Sequence, residues 1–285
     1  MNAGERNFPR AEKLQRISTV ERCLALVLIA GLGYATLSVI RDTLASLYAV
    51  PALQLMQEWD LANVVQPQAG DIAPPGASAG GPGGDAPIAS FSPDEAEWQL
   101  AYAALQRAIN LAPGNPELYA NLGRLYQFKF EDNSLPLEDI DASAHEASTA
   151  FNMAARLRPT WPYHWWDIAR TEYVLQRSHL ADFRRALDNG VRFGPWLRDV
   201  QLFSADLALE HWDTLGTESR QLALANFDRA LVRSPEFVPD IIAAYDAWDM
   251  LCQQAEGLAP QLPTLPVYCA DPDLRTSPSP LSLDP

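Results

Sequence analysis

The chain has 285 residues, 48% of them hydrophobic, enough for a sizeable core in one or two domains. Its 21 Lys and Arg face 36 Asp and Glu, a net charge of -15 without a basic stripe, which speaks against nucleic acid as a partner. Cysteine occurs only three times, which fits either a reducing or an oxidising compartment.

Residues 1–22 carry Arg6, Arg10, Lys13, Arg16 and Arg22 against three glutamates, so this end is slightly positive. Between Arg22 and Arg41 lies an uncharged apolar run of eighteen residues, CLALVLIAGLGYATLSVI. As a helix it reaches about 27 Å, close to the thickness of a hydrocarbon core. The run predicts a transmembrane helix over 23–42. The positive-inside rule then places residues 1–22 in the cytoplasm and the rest on the far side. A cleaved signal peptide is the alternative, against which stand the length of the run and the lack of a nearby Ala-x-Ala site.

Residues 43–65 keep apolar side chains at helical spacing and read as a juxtamembrane segment that either extends the helix out of the bilayer or is kinked or divided at Pro51. Residues 66–93 are dominated by Gly, Pro and Ala, too poor in apolar bulk to pack. They read as a flexible tether with an r.m.s. span of roughly 30 Å, leaving the next domain free to sample space near the membrane.

A helical domain follows over 94–256, opened by the capping signal SPDE at Ser92. Its mark is a repeated pattern, Ala-x3-Leu/Phe-x2-Ala-x4-Pro, at Ala101/Leu105/Ala108/Pro113, Ala147/Phe151/Ala154/Pro159 and Ala223/Phe227/Ala230/Pro235. Phe183/Leu187/Gly190/Pro195 keeps the spacing with altered residues. Small residues seven apart let helices pack closely, and the proline ends the helix at a set point. After Pro113, Tyr119, Leu122, Gly123 and Tyr126 match the tetratricopeptide pattern Trp-x2-Leu-Gly-x2-Tyr, with Gly123 expected to admit the small residue of the partner helix. Trp165, Ile168 and Ala169 fill the same slots after Pro159, and the signature weakens after Pro195 and Pro235. The fold class is therefore all-α: an N-terminal transmembrane helix, then a tetratricopeptide-like solenoid of about three and a half hairpins. The acidic stretch FEDNSLPLEDIDAS at 130–143 reads as an insertion, and the Pro-rich tail 257–285 as extended or disordered.

The first helix of each hairpin in such solenoids lines the groove, which selects Arg124, Gln127 and Phe128 in one unit. Tyr163, Trp166, Arg170 and Tyr173 follow in the next, and Asp206 and Glu210 after them. Trp165 is assigned to the core, and packing alone also accounts for much of the Trp161–Trp166 aromatic cluster. Arginines among aromatics suggest an acidic peptide or a uronic-type sugar as ligand. The four histidines are scattered, no metal-ligand or nucleophile constellation is present, and no cofactor is expected. Acid pairs such as Asp94/Glu95/Glu97 and Asp246/Asp249 suit helix N-termini and solvated faces; a carboxylate-using enzyme is the rival reading. Cys252 and Cys269 are the one pair available for a disulfide beyond the span, with two free thiols as the alternative.

The anchor, the degenerate repeats and the motifs RPTWPYHWW and FGPWLRDVQL give a chain that resembles the VpsP family of bacterial polysaccharide-biosynthesis proteins. The resemblance covers residues 94 to about 250. It implies a single-span protein of the bacterial inner membrane with its helical domain in the periplasm, acting in exopolysaccharide or O-antigen assembly. The partners it implies are a polysaccharide polymerase, ligase or export protein, and glycan itself. No catalytic residues are assigned to the family motif, and none is carried over; the span, the tether and the groove point to an adaptor and not an enzyme. A general envelope scaffold is the remaining alternative.

Overall fold

The structure is a computed structural model that describes residues 19–65, 93–132, 135–177, 181–256 and 261–275. Among these residues there is no strand. Eleven α-helices follow in order: α1 (Thr19–Val65), α2 (Glu95–Leu111), α3 (Pro116–Phe130), α4 (Leu137–Leu157), α5 (Pro162–Val174) and α6 (Ala181–Phe193). After them come α7 (Arg198–Glu210), α8 (Thr217–Arg233), α9 (Val238–Ala244), α10 (Trp248–Ala255) and α11 (Leu265–Ala270). One helix, within α1, is long and apolar enough to cross a membrane.

The four proline-ended motifs lie on α2, α4, α6 and α8, the second helix of successive hairpins. Each helix stops two residues before its proline: at Leu111, Leu157, Phe193 and Arg233. The motif side chains are the interior; Ala101, Leu105, Ala108, Ala147, Phe151, Ala154, Phe183, Phe227 and Ala230 have no exposed surface. Pro116 and Pro162 start α3 and α5 at positions where a missing N–H costs nothing, and Asn115 caps α3 by accepting from the Glu117 N–H at 3.0 Å. Trp165 Nε1 donates to Pro159 O at 2.7 Å, and Gln201 Nε2, six residues past its own proline, donates to Pro195 O at 2.6 Å. The slot holding Trp165 thus ties two of the four turns to the helix after them, which supports the assignment of that tryptophan to packing.

Three expectations are corrected. First, α1 is part of the packed helical domain. It runs unbroken through Pro51, and Ala45, Ala49, Ala52, Met56 and Trp59 are buried in one cluster with Trp98, Ala101, Leu105 and Ala108 of α2. Arg41 Nε donates to Leu111 O at 3.1 Å and Trp59 Nε1 to Glu97 Oε2 at 3.3 Å, so the two helices are antiparallel. Residues 43–65 are therefore the first helix of the first hairpin, and residues 66–92, which lie outside the described part, join two packed helices instead of separating a domain from its anchor. The expected cap at Ser92 lies outside the described residues as well; Asp94 caps α2, its carboxylate accepting from Ala96 N–H at 2.8 Å and Glu97 N–H at 3.3 Å.

Second, most of the 130–143 stretch is helix, because α4 begins at Leu137. Third, residues 261–275 of the tail pack on the helical domain. Leu262 and Leu265 are buried in the main core, and the buried Asp228 carboxylate accepts from Thr264 N–H and Leu265 N–H, both at 2.7 Å, fixing the start of α11. A Cys252–Cys269 disulfide closes this cap onto α10. The proline spacing forbids a long helix there but permits a short one of six residues.

Candidate functional site

The first helices of three hairpins converge on a cavity of about 240 Å³. Met56 and Asp60 come from α1, Arg124, Gln127, Phe128 and Glu131 from α3, and Tyr163, Trp166, Asp167 and Arg170 from α5. Of the residues expected in a groove, Arg124, Gln127, Phe128, Tyr163, Trp166 and Arg170 are brought together here. Their spacing on α3 and α5 puts them on one face, while Leu122, Gly123, Ile168 and Ala169 of the same helices turn inward.

One wall is aromatic. Ring centroids of Trp161 and Tyr163 are 5.7 Å apart, those of Tyr163 and Trp166 5.8 Å, and those of Trp166 and Phe203 of α7 5.2 Å. Phe128 packs edge-on against Trp59 at 5.2 Å, so the hairpin made by α1 supports the opposite wall. The indole N–H of Trp166 is buried without a hydrogen-bond partner.

The charges are interleaved. Arg124 Nη2 lies 4.0 Å from Asp167 Oδ2, Arg170 pairs with Glu131, and Gln127 Nε2 donates to Glu131 Oε1 at 2.8 Å. Burial pushes the Asp167 carboxyl up to about 6, in spite of the opposing pull of Arg124 and Arg170. Next to it, His164 is fully buried and neither ring nitrogen has a partner; burial lowers its pKa to about 4, so it is neutral at pH 7.

Asp60, Glu131 and Asp167 outnumber the two arginines, so a bound acid would have to displace carboxylates already in place. That weakens the case for an acidic ligand made from the arginines alone. A ring that stacks on Tyr163 and Trp166 while exchanging hydrogen bonds with the charged rim meets no such barrier.

The other expected groove residues lie apart from the cavity. Tyr173 OH donates to Glu210 Oε1 at 3.1 Å, and Asp206 Oδ1 accepts from Tyr245 OH at 2.9 Å, forming a second polar cluster across α5, α7 and α9. Burial raises both the Tyr173 and the Asp206 pKa. Met56, Asp60, Glu131 and Asp167 were missed by sequence reasoning; the two on α1 were missed because residues 43–65 were read as a juxtamembrane segment apart from the helical domain.

Among the described residues no group of three or more His, Cys, Asp or Glu is placed to hold a metal ion. Glu97 is engaged by Trp59, and Asp94 caps α2. No family model matches the sequence, and no curated protein matches it.

Proposed function

We propose that this chain is a membrane-anchored adaptor of tetratricopeptide-like build that holds a polypeptide partner or a glycan in the cavity between α1, α3 and α5. It serves exopolysaccharide or O-antigen assembly at the bacterial inner membrane and performs no chemistry itself. The observation that carries this reading is the cavity: an aromatic wall of Tyr163 and Trp166 beside interleaved charges, three acids to two arginines, with one side supplied by the helix that continues into the apolar run. Aromatic faces with polar rims suit sugar rings and extended peptides. The polysaccharide pathway rests on the resemblance of the RPTWPYHWW and FGPWLRDVQL segments.

A periplasmic domain with a cytoplasmic N-terminus is supported by two features: the basic residues before the span, and the Cys252–Cys269 bond, which belongs to an oxidising compartment. A photo-reactive amino acid at Tyr163 in the full chain, activated in native membranes, tests the adaptor reading. An adduct with an assembly protein or glycan is the expected result. A yield no higher than from Leu100, exposed on α2, overturns it. A deletion strain with unchanged polysaccharide would remove the pathway while leaving the adaptor.

A further inference from the structure

The turns that carry the helix-ending prolines form one continuous edge, and that edge starts where α1 leaves its apolar run. Arg41 is bonded to Leu111 beside the α2–α3 turn, and a cavity of about 670 Å³ is lined by Tyr34, Leu37 and Arg41 on one side and by Leu111, Pro113 and Asn115 on the other. From there contacts link turn to turn. Arg158 Nη1 meets Glu117 Oε1 at 3.0 Å, joining the α4–α5 turn to α3. Gly194 is pressed on Pro162, since a Cβ at 194 would lie 2.8 Å from the proline ring, joining the α6–α7 turn to α5. Arg233 donates to Trp196 O at 3.2 Å and Arg198 meets Glu236 at 2.9 Å, joining the α8–α9 turn to the α6–α7 turn.

The composition of this edge differs from that of its opposite. Counted from the last two residues of each second helix to the first two of the next first helix, it holds five arginines (156, 158, 192, 198 and 233) against Glu117, Asp199 and Glu236. The connections at the other ends of the hairpins, from α3–α4 to α9–α10, hold two basic residues against nine acidic ones. The same edge exposes apolar side chains that the fold does not need. Outside α1, five of the eleven exposed large apolar residues fall here: Leu157, Phe193, Trp196, Val232 and Phe237, with Trp196 61% and Phe237 46% exposed. Arg158 stacks over Trp161 at 4.1 Å and Arg198 over Phe237 at 4.7 Å, so cation and ring are presented together.

Three of the five arginines are ion-paired, Arg158 with Glu117, Arg198 with Glu236 and Arg192 with Glu218 at the start of α8, and each keeps about half of its side chain exposed. We propose that this proline-turn edge lies on the bilayer surface, its aromatic rings at the level of the headgroups and the exposed faces of its arginines on anionic lipid phosphates. Interfacial aromatics and arginines that extend toward phosphate are the chemistry of that zone. The acidic opposite edge is repelled from the same surface and points away. The proposal rests on α1 spanning the membrane, because Tyr34 and Leu37 of the apolar run flank the first turn and so fix the height of the edge at the interface.

The test uses the full chain in lipid nanodiscs with benzoylphenylalanine at one position at a time. Nanodiscs of phosphatidylethanolamine with phosphatidylglycerol are compared with nanodiscs of phosphatidylcholine alone. Positions 196 and 237 are expected to give several-fold more lipid adduct than Leu137 on the opposite edge, and to lose most of that excess in the uncharged lipid. Adduct at 196 and 237 no greater than at Leu137, while Val27 inside the span cross-links strongly, overturns the proposal and leaves the span intact. Equal adduct in both lipids overturns the role of the arginines. Failure of Val27 to cross-link disproves the span itself, and this proposal with it.

Discussion

Gly123 of α3 lies flat against the ring of Phe151 of α4: a Cβ built at 123 would sit 2.5 Å from Phe151 Cε1. The tetratricopeptide-like glycine therefore makes room for the bulky member of the neighbouring motif, not for its small members, and Phe151, with no exposed surface, has nowhere to retreat.

Gly123→Ala sets two effects against each other. Alanine gains about 1 kcal/mol of helix propensity, whereas overpacking a closed core costs typically 1–3 kcal/mol. Net destabilisation is expected, read as a lower Tm of the detergent-solubilised chain. Gly114→Ala, with nothing within 4 Å, should change little; equal Tm for the two variants would contradict the Gly123–Phe151 contact.

Asp167 and His164 give opposing pH dependences. A carboxyl held at about 6 when folded takes up protons before its unfolded counterpart, so its contribution worsens as pH rises from about 4 to 6 and stays unfavourable above. Asp167→Asn should raise stability at pH 7 by on the order of 2 kcal/mol, a gain that fades toward pH 4. His164 behaves in the reverse sense: its folded pKa of about 4 lies below the unfolded value of 6.5, so stability falls as pH drops between the two. His164→Gln should flatten that acid limb in denaturant titrations across the same range.

The disulfide spans 17 residues, a loop whose closure in the unfolded chain is worth about 3 kcal/mol. Cys252→Ser should lower the melting temperature and make it insensitive to dithiothreitol, whereas the parent chain should lose stability on reduction. Limited proteolysis should then cut the freed segment after α10 first.

Because α1 and α2 pack directly, the residues between them are a loop within one hairpin. Replacing 66–92 by about ten Gly and Ser residues should leave the fold unchanged and stabilise it by up to about 1 kcal/mol through the smaller closure entropy. A collapse of the melting transition would show that those residues do more than connect.

The second helices and their ends were legible because one short pattern encodes both packing and termination, and Pro113, Pro159, Pro195 and Pro235 each fall two residues past a helix end. The first hairpin was obscured. Ala45, Ala49 and Ala52 have the same offsets of four and three as Ala101, Leu105 and Ala108, but an apolar run before them and a Gly/Pro-rich stretch after them concealed the relation. Six of the ten cavity residues followed from helix faces. The rest, Asp167 against Arg124 and Glu131 against Arg170, depends on pairs 43 and 39 residues apart, and no local period reports such pairing. Likewise, nothing near Leu265 announces that Asp228 will cap it.

Ile40, the last residue of the apolar run, and Met56, in the cavity wall, are sixteen positions apart on one unbroken helix, about 24 Å. With α1 spanning as proposed, the bilayer and the cavity hold the two ends of a single rod. Whatever turns that rod within the lipid, such as a neighbouring span packing on Leu28 or Leu32, rotates Met56 and Asp60 relative to Trp166, and occupancy of the cavity pushes back on the rod with the same coupling energy.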